Sequence, residues 1–198
     1  MIKDTRKAPK EFIKETIAES IEIKQKMGDH LCNTISEISN CISEVLLKNG
    51  TIYLFGNGGS AADSQHIAAE FVGRFTRERR PLPAEALTTN TSTITAIGND
   101  YDFSEIFARQ VKARVQSKDV VVGISTSGKS INVIKGLEAA KKIGAKTIGF
   151  TGSEENLMQS LTDYCLCVPS KNTPRIQEAH ILVWHIICDL VENSIIKD

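Results

Sequence analysis

Short apolar runs rich in β-branched residues alternate with stretches of helical spacing along most of this chain, and that alternation leaves few folds open. Residues 51–55, 84–88, 119–124, 146–150 and 164–168 read as strands. Helical spacing fills 60–72, 129–143 and 174–195, with a short helix expected after Thr151-Gly152 and with Pro174 suited to a first turn. Strands that alternate with helices in this way predict a parallel sheet covered on both faces. Ahead of them, Ile17, Ile21, Leu31, Ile35, Ile38, Ile42 and Leu46 recur at three- or four-residue steps within 11–48. This spacing predicts two helices, broken near Gly28 and Asp29. No internal repeat or low-complexity linker interrupts the chain, so a single domain is expected over 1–198. Residues 1–50 would supply helices that pack on the core and at a subunit interface, and 51–198 the α/β core.

Charge and composition exclude several classes of function. Lysine plus arginine and aspartate plus glutamate both total 24, and no basic block offsets the balance, which argues against non-specific nucleic-acid binding. The apolar run 181–188 is interrupted by His185 and is too short to span a bilayer. Residues 1–10 are charged and lead into no signal-peptide core. A cytoplasmic protein with no membrane partner is expected. The cysteines, Cys32, Cys41, Cys165, Cys167 and Cys188, are odd in number and lack a CxxC spacing. They are expected to be buried free thiols, with Cys165 and Cys167 on one face of a strand.

In parallel sheets, ligands bind beyond the carboxyl ends of the strands. Two loops there are rich in small polar residues. The first, Gly56-Asn57-Gly58-Gly59-Ser60-Ala61, fits a loose G-x-G-x-x-A pattern and so admits a dinucleotide. The acidic residue expected after the next strand is missing, because Thr88, Thr89 and Asn90 stand there. A tight loop whose backbone approaches a smaller ligand is the preferred reading. Ser60 and Asp63 suit a capping box for the following helix, on which Ile67, Phe71, Ala68 and Val72 form an apolar stripe. His66 and Glu70 form a separate polar stripe. Taken alone, they read as a surface pair contributing only about 0.2–0.5 kcal/mol. Their place just downstream of a ligand-type loop admits a second reading, as a base or metal ligand.

The second loop, GISTSGKS at 123–130, satisfies the Walker A expression G-x-x-x-x-G-K-[ST] between a strand and a helix, so a P-loop nucleotide hydrolase is a competing reading. That chemistry needs a magnesium-holding acid at the end of a later strand, and neither 147–150 nor 165–168 ends in Asp. The hydroxyls of Ser125, Thr126, Ser127 and Ser130, with the N–H groups that open a helix, better suit a terminal phosphate monoester.

Four blocks, GNGGSAADSQHIAAEFVGRF (56–75), AIGNDYDF (96–103), GISTSGKS (123–130) and RIQEAHILVWHI (175–186), together resemble the phosphoheptose isomerases, a branch of the sugar-isomerase (SIS) family. The resemblance extends over nearly the whole chain. It implies a three-layer α/β/α SIS fold with a five-stranded parallel sheet and two additional N-terminal helices, assembled as a homotetramer. It implies an aldose–ketose isomerase that turns D-sedoheptulose 7-phosphate into D-glycero-D-manno-heptose 7-phosphate, a first step toward nucleotide-activated heptose for lipopolysaccharide or other surface glycans. Substrate contacts would come from Asn57, Gly58, Gly59, Glu70, Arg74, Asn99, Asp100, Ser125, Thr126, Ser127, Ser130 and Gln177. Zinc would be held by His66, Glu70, Gln177 and His185. The chain departs from the family at Lys129, commonly Asn, where an added cation is expected to strengthen phosphate binding or shift selectivity slightly.

Such an isomerisation needs a carboxylate to move a proton between adjacent carbons, and Glu70 is the expected base. His185 is the expected acid/base for the oxygens, since imidazole titrates near neutral pH. Gln177 and His185 lie eight residues apart, about 80° from alignment on an ideal helix, and are expected to line one pocket from adjacent sides. His180 faces elsewhere and reads as a core or surface residue. A related non-catalytic adaptor that binds the bacterial replication initiator shares this fold, but the intact Glu70, Gln177 and His185 favour the enzyme.

Overall fold

In a computed structural model, described over residues 8–152 and 156–196, helices α1 (Pro9–His30) and α2 (Cys32–Leu47) precede strand β1 (Ile52–Gly56). There follow α3 (Gly59–Val72), β2 (Ala84–Ala86), α4 (Thr91–Asp100), a 3-10 turn at Phe103–Glu105, α5 (Ile106–Arg114), β3 (Val120–Ile124), α6 (Ile131–Ile143), β4 (Lys146–Thr151), α7 (Leu157–Leu161), β5 (Tyr164–Cys167) and α8 (Thr173–Ile195). Most of the charged segment 1–10 lies outside the described residues.

The strands form one parallel sheet in the order β2-β1-β3-β4-β5. Every residue of β1 and β3 is buried, as central parallel strands covered on both faces require. Alternate residues feed two cores. Ile52, Leu54, Val120 and Val122 pack with α2, α3 and α8, while Tyr53, Phe55 and Val121 pack with α5 and α6. Each fully buried Val, Leu or Ile contributes roughly 1.5–3 kcal/mol. The result is the three-layer α/β/α arrangement expected.

Some local readings are corrected. The N-terminal break falls at Leu31 rather than at Gly28, which stays helical, because Leu31 turns inward against the core. Helix α6 begins at Ile131, two residues later than the spacing predicts. The sequence reading leaves α4 and α5 unassigned. Asn90 caps α4 by accepting the Thr93 N–H at 2.9 Å, and Asp102 caps the 3-10 turn in the same manner. Among the described residues no disulfide joins the cysteines. Cys165 and Cys167 share a strand face with their sulfurs 3.8 Å apart, but against the expected burial Cys32 is exposed and Cys165 only partly buried.

Among the described residues no helix is long and apolar enough to cross a membrane. Two helices nevertheless expose apolar residues at four-residue steps, Ile13, Ile17 and Ile21 on α1 and Leu182, Ile186 and Leu190 on α8.

His180 is a core residue, fully buried and edge-on to Phe150, whose other neighbour is the stacked Trp184 ring. Its Nε2–H donates to the Thr151 carbonyl at 3.3 Å, leaving Nδ1 without a protein partner. Burial pushes its pKa down to about 4, with the Thr151 bond opposing. The unfolded chain therefore binds the extra proton first, and stability falls as pH drops from the unfolded value toward the folded one. Urea unfolding is expected to show about 2 kcal/mol less stability from this group at pH 5 than at pH 7. A His180→Met variant should lose that part of the slope, and an unchanged slope would contradict the assignment.

Candidate active site

The sheet order reverses between β1 and β3, because the chain leaves β1 for β2 on one side and returns to β3 on the other. A crevice opens at such a switch point, outside the carboxyl ends of the strands. Gly56 and Ile124 end these two strands as register partners, so the two small-polar loops sit side by side. Asn57 and Asn132 join them, each side-chain amide donating to the other's oxygen at 2.9 Å. Asn132, at the start of α6, was not singled out from sequence. Its signal was only its position behind the serine loop.

The first loop turns directly into α3, with Gly58 as N-cap and no side-chain cap bond. The expected Ser60–Asp63 capping box is absent, because α3 starts one residue before Ser60 and buries that side chain. A Cβ at Gly59 would displace the tip of the Gln177 side chain, whose Nε2 lies 2.3 Å from where it would stand. The bare backbone thus lets α8 deliver Gln177 to the start of α3.

In the second loop, the Ser125 hydroxyl lies 2.9 Å from that of Ser130 and 3.5 Å from that of Ser127. The Lys129 N–H donates to Ser127 Oγ at 3.2 Å, and the Thr126 carbonyl accepts the Gly152 N–H at 3.1 Å. Gly128 takes φ +65°, and a Cβ there would also strike Asn156. Three hydroxyls, those of Ser125, Ser127 and Ser130, thus gather before α6, whose first N–H groups favour an anion. Lys129 is exposed and lines an open groove with Leu157 and Gln159. Neither neighbour of β3 ends in an acid, β1 closing at Gly56 and β4 at Thr151, so a P-loop metal site is not built.

Further along α3, Nε2 of His66 lies 2.9 Å from Oε1 of Glu70. The His185 ring on α8 meets the His66 ring edge-on at 5.4 Å, and the Phe75 ring lies 5.5 Å from it, tilted by 32°. Ile67, Ala68 and Phe71 face the core as expected, whereas Val72 is exposed where the helix ends. Asp63 is half-buried near this group, with Oδ2 lacking a partner. Burial raises its carboxyl pKa, and His66 opposes.

Two clusters therefore occupy α3 and α8. Gly59 and Gln177 mark one end, and His66, Glu70 and His185 the other. Eleven residues separate Gly59 from Glu70, about 16 Å along a helix. Gln177 and His185 are likewise roughly 12 Å apart along α8. Arg74, Asn99 and Asp100 are exposed. Arg74 lies 3.9 Å from Glu78, and Asn99 donates to Asp100 at 2.9 Å.

Among the described residues no three His, Cys, Asp or Glu side chains converge as ready metal ligands. Two imidazoles and a carboxylate are nevertheless a donor set used by catalytic zinc, and two imidazoles on one tetrahedral ion bring their rings to about 5 Å. His66, Glu70 and His185 supply that donor set, with the two rings 5.4 Å apart, though their donor atoms do not converge on one point here. The Gln177 amide packs at the other end, against Gly59.

Residues 16–152 match the SIS domain family. The chain is 51% identical over 185 residues to the phosphoheptose isomerase of Thermodesulfovibrio yellowstonii, covering 93% of this chain and 92% of that one. It superposes on the phosphoheptose isomerase GmhA from Neisseria gonorrhoeae with a TM-score of 0.89, at 41% identity and over 94% and 100% of the two chains. The corresponding values for a phosphoheptose isomerase from Francisella tularensis are 0.91, 35%, 94% and 100%.

Proposed function

The chain belongs to the SIS-domain family, among its phosphoheptose isomerases, and from that membership we propose its reaction and the residues that perform it. It isomerises D-sedoheptulose 7-phosphate to D-glycero-D-manno-heptose 7-phosphate through an enediol. The observation that carries this reading is the pair of small-polar loops held together across the switch point by Asn57 and Asn132.

The substrate phosphate binds at Ser125, Thr126, Ser127 and Ser130, where hydroxyls and backbone N–H groups donate to its oxygens. Asn57, Gly58, Gly59 and Gln177 line the sugar's path, with Arg74, Asn99 and Asp100 closing on it. Glu70 takes the proton from C1 of the ketose and returns it to C2. His185 moves the matching proton between the two oxygens, so that carbonyl and hydroxyl exchange places. Zinc held by His66, Glu70 and His185 would supply Lewis-acid polarisation of a sugar oxygen, with Gln177 too far along α8 to join them.

The protein works as a homotetramer. The exposed apolar steps on α1 and α8 support this, because a partner would bury them. So does the distance along α3, which a serine loop from a neighbouring subunit would bridge to Glu70. It acts in the cytoplasm, on the route to activated heptose for surface glycans. The retained Glu70, Gln177 and His185 favour the enzyme over a non-catalytic adaptor. Purified protein incubated with sedoheptulose 7-phosphate should form the heptose 7-phosphate, and elemental analysis of the same preparation should find zinc. No product, with phosphate still bound, would move the protein to the adaptor class, and absence of metal would remove zinc.

A further inference from the structure

A buried charge pair remote in sequence holds the end of α3 and the connection that follows it. Arg79 and Glu192 both have nearly inaccessible side chains, 4% and 1% exposed, with Arg79 Nε 3.0 Å from Glu192 Oε1. Glu192, on α8, accepts the backbone N–H groups of Phe75, Thr76 and Arg77 at 2.8–2.9 Å and the Thr76 hydroxyl at 3.1 Å. Three successive N–H groups turned toward one carboxylate form an anion nest, here filled by the protein's own side chain.

Arg79 works on the other side of the same connection. Its guanidinium donates to the carbonyls of Glu70 and Phe71 at 2.8 Å each, and to those of Gly73 and Arg80. The last carbonyls of a helix have no partner within it, and a cation there also suits the helix dipole. Helix α3 has no basic residue in its own last turn, so Arg79 supplies that charge from beyond the helix.

We propose that Arg79 and Glu192 are positioning residues for the isomerase reaction, fixing Glu70 and His185 relative to each other. Arg79 bonds the backbone of Glu70 itself. Glu192 fixes Phe75, whose ring lies against His185. Glu192 also shares α8 with His185, so one ion pair ties the base on α3 to the imidazole on α8. The inference rests on the assignment of Glu70 and His185 as the reacting pair.

Arg79→Lys keeps the charge and loses the guanidinium fork, while Glu192→Gln keeps the shape and loses the anion. In whichever of these folds by circular dichroism, kcat per folded molecule is expected to fall about tenfold with KM changed less than twofold. The proton resonances of the His185 ring, assigned with a His185→Gln control, should broaden or split in the same variants. If both variants fail to fold, Phe75→Leu, which removes the ring beside His185 and spares the ion pair, should show the same loss in kcat and the same ring signature. A folded variant with unchanged kcat and an unchanged His185 signal would overturn the proposal. The ring signal decides the matter even if the wild-type protein were inactive on the heptulose phosphate, an outcome that would instead overturn the reaction assigned above.

Discussion

Glu70→Gln is expected to lower turnover by at least two orders of magnitude while the protein stays folded. The substitution keeps the volume and one carbonyl-type oxygen, and it leaves the backbone carbonyl that Arg79 grips in place. It removes the basic oxygen that accepts a carbon-bound proton. General-base catalysis by a positioned carboxylate contributes ~10²–10⁴-fold, so the loss should fall in that range. It should appear in kcat with KM changed little, because the amide still occupies the same space against the sugar. Glu70 is only partly exposed and bonds His66 at its tip, which already limits its freedom to wander from the reacting carbons. Steady-state kinetics with circular dichroism on the same preparation would check this, and near-normal turnover would remove Glu70 from the mechanism.

His185→Gln is the second large effect, again ~10²–10⁴-fold in turnover. Glutamine can hydrogen-bond a sugar oxygen but cannot take up and release a proton near neutral pH, so it separates binding from proton transfer. The ring packs against both His66 and Phe75, contacts that restrain its plane. Losing it should also weaken any metal held with His66, so the variant's zinc content is measured beside its kcat. Retained turnover in a folded, metal-loaded His185→Gln protein would assign the oxygen protons to another group.

The sheet was legible because parallel strands buried on both faces read as continuous apolar runs, as 120–124 does. The two loops were legible because close backbone approach and a hydroxyl cluster demand glycines and serines at fixed places. Helix α4 was not, since Thr91, Thr93, Ile94 and Thr95 are β-branched residues of modest helix propensity, and the helix buries little beyond Ile97. Arg79 and Glu192 were invisible for a different reason. Each reads as a surface charge on its own segment, and only the packing of α8 beside α3 brings them together. His66 and Glu70 posed the converse problem. Their spacing announced a pair, and the nearby His185 ring gave the pair a chemical setting.

A crystal of the protein soaked with sedoheptulose 7-phosphate tests the central claim most directly. The phosphoryl group should sit within hydrogen-bond reach of Ser125, Ser127 and Ser130, with C1 and C2 beside Glu70 and His185 of the same or a neighbouring subunit. A phosphoryl group bound away from the serines, or reacting carbons far from both side chains in every subunit, would contradict it.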